Sequence, residues 1–118
     1  MLGLCARMAK ILTALMTLAI GVTTLMPSTG GHSPLLGLDK LAHLVAFAAL
    51  VIPMTLAHPR SWGLIWLVAL SYGGLIEIVQ PHFGRGAEWA DFVADGLGAA
   101  MGIALALILR RCLPAFRQ

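Results

Sequence analysis

Long apolar runs, separated by short polar segments, dominate the 118-residue chain. Four runs stand out, at about residues 8–26, 41–57, 62–79 and 92–109. Each approaches the ~17–25 residues that a helix needs to cross a bilayer core, and none is long enough for two crossings. Backbone groups in lipid must satisfy their own hydrogen bonds, which favours helices. The pattern predicts one all-α domain over residues 1–118: a polytopic membrane protein folded as a four-transmembrane-helix bundle, with helices at about 8–26, 40–57, 62–80 and 91–110.

The composition agrees with a membrane as the solvent of this chain. Hydrophobic residues make up 59% of it and charged residues 11%, whereas a soluble domain usually carries about 25% charge. A soluble domain of this size could not bury so much apolar surface. The net charge of +3 does not indicate nucleic acid, because the basic residues are dispersed among apolar runs and form no binding stripe.

The first apolar run has two interpretations. Arg7 and Lys10 followed by an apolar stretch also fit a secretory signal peptide. However, the run is long for such a segment, and Pro27-Ser28-Thr29-Gly30 offers no Ala-x-Ala-like cleavage site. We therefore expect the first helix to be retained.

The basic residues predict an orientation. Four helices place both termini on one side, and that side collects six of the eight basic residues, namely Arg7, Lys10, Arg60, Arg110, Arg111 and Arg117. The other side has Lys40 and Arg85. The positive-inside rule then makes both termini cytoplasmic, in a bacterial inner membrane, with the segments 27–40 and 81–90 facing outward.

Polar side chains converge on the predicted outward ends of helices two, three and four. The candidate polar site consists of Asp39, Lys40, His43, Glu77, Gln80, Arg85, Asp91 and Asp95. Because charges inside a membrane are costly, these side chains should face each other or water and not lipid. Arg85, between Gly84 and Gly86, could fold back over the carboxylates, since an arginine can bind a carboxylate with two hydrogen bonds.

Helix geometry places several of these groups on shared faces. At 100° per residue, Asp91, Asp95, Gly98 and Gly102 fall within a stripe about 60° wide. The upper part of this stripe is acidic, and Gly98-x-x-x-Gly102 below it allows another helix to approach closely. Gly73, Glu77 and Gln80 share a face of the third helix.

The order of these residues resembles the VanZ-like family of small bacterial integral membrane proteins. Asp39-Lys40-x-x-His43 opens one helix, Glu77-x-x-Gln80 ends the next, Arg85 follows in a Gly-containing turn, and Asp91-x-x-x-Asp95-x-x-Gly98-x-x-x-Gly102 begins the last. The resemblance covers about residues 39–102. The family usually has Asn at the position of Asp95, and its turn commonly reads Pro-Gly-Arg.

The resemblance implies a cell-envelope protein, because the family is named for a protein associated with low-level resistance to the glycopeptide teicoplanin. Teicoplanin carries a lipid tail and acts at the outer membrane surface. The first hypothesis is therefore a non-enzymatic protein whose polar site is structural or binds an envelope lipid or a lipidated glycopeptide. Membrane lipids are the other expected partners.

Two alternatives stay open. Asp91, Asp95, Glu77 and His43 would suit an enzyme acting on a lipid or cell-wall precursor by acid–base or divalent-metal chemistry. A small transporter is the third hypothesis, and Gly98-x-x-x-Gly102 would also suit a homo-oligomer. No zinc spacing, phosphate loop or Ser–His–Asp set is present, so no catalytic residue is assigned and the sequence predicts no metal site and no cofactor.

Overall fold

Four long helices, joined by short turns, form the structure. The computed structural model describes residues 2–26, 38–84 and 86–116. The helices are α1 (Leu2–Leu25), α2 (Leu38–Ala57), α3 (Trp62–Val79) and α4 (Trp89–Cys112), and short 3₁₀ turns precede α3 and follow α3 and α4. The described residues contain no strand. The predicted all-α bundle is confirmed, and α1 and α4 extend beyond their predicted limits.

The closest packing in the bundle joins α2 to α4. Gly98 lies against the backbone of Leu44, and Gly102 lies against the backbone of Ala48. A Cβ atom at either glycine would overlap the facing carbonyl oxygen. The lack of a side chain therefore sets how near the two helices come, as in other small-residue membrane contacts.

The core follows this α2–α4 contact and is completed by the other two helices. Phe47, Leu50 and Val51 of α2 pack with Ala99 and Ile103 of α4. The helix α1 adds Ile20 to this core, and α3 adds Ala69 and Ile76. The helix α3 also approaches α4 at Gly73, whose α-carbon lies over the Asp95 side chain.

The outer surface of the bundle is apolar. Leu18 of α1, Ile78 of α3 and Ile108 of α4 are among many large exposed hydrophobic side chains. All four helices are long and apolar enough to cross a membrane, and the 48 Å long axis of the molecule exceeds the ~30 Å hydrocarbon core. The chain is thus a polytopic membrane protein, and the side chains on the surface of its helix bundle suit contact with lipid.

Specific contacts fix the helix ends. Gly84 adopts a left-handed conformation (φ 74°) and ends the 3₁₀ turn after α3, which a residue without a Cβ does at low cost. At the other end of the bundle, Arg110 donates to the carbonyl of Leu56 at 2.6 Å. An arginine of α4 thereby satisfies one of the carbonyls that the last turn of α2 leaves open.

The α2–α4 contact generates a stability prediction. We expect Gly98→Ala to lower the free energy of unfolding by about 1–3 kcal/mol, because the new methyl group meets backbone that cannot rotate away. Gly63→Ala is the matched control, since nothing lies within 4 Å of the same position there. Thermal unfolding in detergent compares the two variants with the wild type. Equal midpoints for Gly98→Ala and Gly63→Ala would contradict the close approach of α2 and α4.

Candidate functional site

One end of the bundle collects polar side chains from α2, α3 and α4. We call this group the polar cluster and define it as Asp39, Lys40, His43, Glu77, Gln80, Glu88, Asp91 and Asp95. The structure places the sequence-predicted residues of α2, α3 and α4 together at this end. Arg85, the remaining predicted residue, lies outside the described residues.

The centre of the polar cluster is a buried contact between His43 and Asp95. His43 Nδ1 lies 2.8 Å from Asp95 Oδ1, with His43 6% exposed and Asp95 fully buried. Gly73 of α3 covers the other side of the Asp95 carboxylate. Three helices therefore meet at this one carboxylate, and its hydrogen bond comes from α2.

Asp91 occupies the next turn of α4 above this contact. Its Oδ2 lies 3.9 Å from His43 Nε2, which is beyond hydrogen-bond distance. Its side chain is 5% exposed. The His43 ring thus lies between two carboxylates of α4. It is hydrogen-bonded to Asp95 and faces Asp91.

The rim of the polar cluster is more open to solvent. Lys40 Nζ lies 2.8 Å from Glu88 Oε2 and 3.7 Å from Asp91 Oδ1. The side chains of Lys40 and Glu88 are 39% and 52% exposed. Ion pairs of this exposure contribute little to stability, so the Lys40–Glu88 pair covers the cluster more than it holds the fold.

The end of α3 is tied to both neighbours through the polar cluster. The backbone N–H of Glu88 donates to Glu77 Oε2 at 2.9 Å, which joins α3 to the start of α4. Gln80 Nε2 donates to the carbonyl of Thr24 at 3.2 Å, which joins α3 to the end of α1. These bonds fix the segment between α3 and α4 against the bundle.

A cleft of about 290 Å³ opens beside the polar cluster, between α1 and α2. Asp39, His43, Thr23 and Thr24 form its polar part. The apolar part of its wall is lined by Ile20, Ala42, Ala46 and Phe47. The cleft therefore combines hydrogen-bonding groups and hydrocarbon-compatible walls, and it reaches the buried His43 directly.

Several buried oxygen atoms of the polar cluster have no hydrogen-bond partner among the residues that the structure describes. They are Glu77 Oε1, Gln80 Oε1, Asp91 Oδ1 and Asp95 Oδ2. All four are acceptors, and buried acceptors without partners cost free energy. The site is thus chemically suited to a group that brings donors or positive charge.

Three residues of the polar cluster could hold a metal ion. Asp39, His43 and Asp91 each offer a ligand atom, and these atoms lie within 4.8 Å of one another. One imidazole nitrogen and two carboxylate oxygens make a mixed donor set. The nearness of Asp39 and Asp91 depends on the α2–α4 packing and is not visible in their separation along the chain.

The sequence reasoning missed two contributions to the site. Glu88 is not among the site residues that the sequence predicts, although it pairs with Lys40. Thr23 and Thr24 line the cleft but look like ordinary residues of an apolar helix. The signal for Glu88 was available, since it is acidic and adjoins the other acidic residues; nothing in the local sequence marks the two threonines.

The glycine pair that is predicted to pack against a helix contacts a helix of the same chain. Gly98 and Gly102 are covered by α2, so a homo-oligomer would need a different surface.

Trp66 adds a contact that the sequence did not indicate: its Nε1 donates to the carbonyl of Gly96 at 3.1 Å. This bond holds α3 to α4 at the residue that follows Asp95.

A family model described as VanZ/LLP1 matches residues 5–110, nearly the whole chain. The match includes α1, which lies outside the residues on which the sequence resemblance was based. No curated protein and no solved structure matches the chain.

The burial of the His43–Asp95 contact generates a second stability prediction. We expect His43→Ala to lower the free energy of unfolding by about 3–5 kcal/mol, because it leaves the Asp95 carboxylate buried without its partner. Glu88→Gln, which removes the charge from an exposed partner of Lys40, should leave the thermal midpoint almost unchanged. His82→Ala is the matched control, because His82 is exposed at the same end of the bundle. A loss for Glu88→Gln as large as that for His43→Ala would show that the rim and not the centre holds the cluster together.

Proposed function

The chain belongs to the VanZ/LLP1 family, and on that premise we propose that it is a cell-envelope membrane protein that binds an amphiphile in the cleft between α1 and α2. The amphiphile class is an envelope lipid or a lipidated glycopeptide of the teicoplanin type. In this proposal the polar cluster takes the headgroup and the apolar wall of the cleft takes part of the tail. Retention of a lipidated glycopeptide at this site would be the route to resistance.

The observation that carries the proposal is the mixed lining of the cleft. His43, Thr23 and Asp39 supply polar atoms, and Ile20 and Phe47 supply apolar surface in the same cavity of about 290 Å³. Ligand sites of this kind combine apolar walls with a few polar groups that set orientation. A headgroup with one adjoining hydrocarbon segment matches both parts of the lining.

The unpartnered acceptors support a headgroup rich in donors. Glu77 Oε1, Gln80 Oε1 and Asp91 Oδ1 are buried oxygens that accept no hydrogen bond from residues 2–26, 38–84 or 86–116. Sugar hydroxyls and amines are the donors that envelope glycolipids and glycopeptides carry. Binding of such groups would satisfy acceptors that the folded chain leaves open.

The sidedness of the proposal rests on the basic residues. All five acidic residues of the chain lie at the end of the bundle that holds the polar cluster, and Arg110 and Arg111 lie in the last turn of α4 at the opposite end. An excess of basic residues on the cytoplasmic side is the usual arrangement. We propose that the termini are cytoplasmic in a bacterial inner membrane and that the polar cluster faces outward.

An enzyme acting on a lipid or cell-wall precursor is the second candidate, and the His43–Asp95 contact favours it. A carboxylate bonded to one ring nitrogen orients an imidazole and leaves the other nitrogen for proton transfer. His43 lines the cleft, so its second nitrogen could reach a bound molecule. Turnover of a lipid phosphate by purified protein, abolished by His43→Gln and retained by His82→Gln, would favour the enzyme over simple binding.

Cysteine labelling in intact cells tests the sidedness. We expect Gly86→Cys, in a Cys5→Ser and Cys112→Ser background, to react with an impermeant thiol reagent from outside, because Gly86 is exposed near the polar cluster. The comparison variant is Cys5→Ser, which keeps Cys112, an exposed thiol after Arg111, and should react only after lysis. The reverse pattern would place the polar cluster in the cytoplasm and remove the lipidated-glycopeptide hypothesis.

A cleft-filling variant tests the binding. We expect a lipidated glycopeptide to raise the thermal midpoint of the protein in lipid nanodiscs. At a ligand concentration of one hundred times Kd, binding stabilises the folded state by about 2.7 kcal/mol. The same glycopeptide without its acyl chain should have little effect. Ala46→Leu should abolish the shift by filling the cleft, and Ala100→Leu, the same change on an exposed face of α4, should retain it.

The outcomes separate the site from nonspecific lipid effects. Equal shifts with and without the acyl chain would reject an amphiphile site. Equal shifts in Ala46→Leu and Ala100→Leu would place binding somewhere other than the cleft. In cells that depend on the protein, Ala46→Leu should reduce protection against the lipidated compound only.

A further inference from the structure

The side of the His43 ring that faces Asp91 carries several possible metal ligands. We propose that Asp39, His43 and Asp91 form a site for a divalent first-row transition-metal ion, with Asp95 as the residue that positions His43. The proposal goes beyond amphiphile binding and does not depend on it. The sequence assigned no metal site, although divalent-metal chemistry at Asp91, Asp95, Glu77 and His43 stayed open as part of the enzyme alternative; the proposed ligand set differs from that group by including Asp39 and leaving out Glu77 and Asp95.

The first step of the argument is the orientation of the imidazole. His43 Nδ1 lies 2.8 Å from Asp95 Oδ1. In the proposed site Asp95 is ionised and can only accept hydrogen bonds, so the neutral ring of His43 carries its proton on Nδ1 and donates it to Asp95. The lone pair is then on Nε2. A carboxylate that fixes the far side of a histidine in this way is a regular companion of histidine metal ligands.

The second step is what Nε2 faces. Asp91 Oδ2 lies 3.9 Å from it, which is too long for a hydrogen bond. Ligand bonds of about 2.0–2.2 Å place two ligands of one ion at most about 4.2 Å apart. The observed gap is therefore too wide for a direct contact and within the span of two atoms that share an ion.

The third step is the Asp91 carboxylate itself. Its side chain is 5% exposed, and its buried Oδ1 has no hydrogen-bond partner among the described residues. The nearest cation is Lys40, whose Nζ lies 3.7 Å from Oδ1, beyond hydrogen-bond distance. A buried carboxylate normally acquires a closer partner or coordinates a metal, and Asp91 adjoins the face of the histidine that is not bonded to Asp95.

Asp39 completes the donor set from the cleft side. Its ligand atom lies within 4.8 Å of those of His43 and Asp91. Asp39 is exposed and lines the cleft together with His43, so its carboxylate is free to move the last fraction of the distance. The cleft provides the entry path that a metal site needs.

Lys40 does not occupy the proposed site. Its Nζ lies 3.7 Å from Asp91 Oδ1 but 2.8 Å from Glu88 Oε2. The shorter contact is with Glu88, at the exposed rim. Lys40 can therefore remain with Glu88 while an ion binds between His43 and Asp91.

The donor set selects the class of ion. One imidazole nitrogen and two carboxylate oxygens favour ions such as Zn²⁺, Co²⁺ and Mn²⁺, whereas Mg²⁺ and Ca²⁺ prefer oxygen ligands alone. Three protein ligands leave at least one position for water or for a bound molecule. The proposed ion would lie at the polar end of the cleft.

A Co²⁺ titration, read by visible absorption and competed with Zn²⁺, tests the proposal. The protein is the full chain with Cys5→Ser and Cys112→Ser, free of any affinity tag, treated with chelator and titrated in detergent with no envelope lipid or glycopeptide added. We expect one saturable site per chain. Asp39→Asn, His43→Gln and Asp91→Asn should each weaken binding more than about 100-fold, and Asp95→Asn, which removes only the positioning residue, about 10–100-fold. His82→Gln is the matched control and should bind as the wild type does.

Asp39→Asn keeps the test informative if buried variants fail to fold, because Asp39 is exposed. Circular dichroism of the chelator-treated variants identifies those that remain folded. The proposal is overturned if the wild type shows no saturable binding, or if folded Asp39→Asn and Asp91→Asn bind Co²⁺ as the wild type does. Because neither a lipidated glycopeptide nor an envelope lipid is added, the Co²⁺ titration does not measure their binding, and the nanodisc measurement can fail independently.

Discussion

The close approach of α2 and α4 is the constraint on which the rest of the structure depends. Gly98 and Gly102 bring the backbone of α4 against the backbone of α2 at Leu44 and Ala48. One turn nearer the end of the bundle, the same separation brings His43 to 2.8 Å from Asp95. A larger side chain at either glycine would separate the helices and leave a buried carboxylate in a membrane-spanning segment without its partner. Packing and polar chemistry on α4 are therefore two parts of one stripe.

Much of this architecture follows from the sequence, because lipid allows few alternatives. Four apolar runs had to become four helices, and they are observed as such. The stripe of Asp91, Asp95, Gly98 and Gly102 could be read from helical periodicity, and all four residues are buried. Membership of the polar cluster could be predicted wherever a polar side chain stood near the end of an apolar run.

The pairing inside the cluster could not be predicted in this way. His43 lies one turn from Asp39 on its own helix, yet it bonds to Asp95. The bond forms because the glycine contact brings α4 close to α2. Lys40 pairs with Glu88 in the segment before α4, where no periodicity applies. Thr23 and Thr24 join the cleft only because α1 ends beside His43. Each of these depends on how helices distant in sequence are packed, which local patterns do not record.

The separation of His43 and Asp95 along the chain has a consequence for biogenesis. Their contact joins residues 52 positions apart, with α3 between them. Helices enter the bilayer in the order of synthesis, so α2 resides there with His43 unpaired until α4 has been inserted. The polar cluster is therefore completed only after α4 has been inserted. Until then, the polar side chains of α2 and α3 lack their partners on α4. The helix α4 is thus the one that completes the polar cluster.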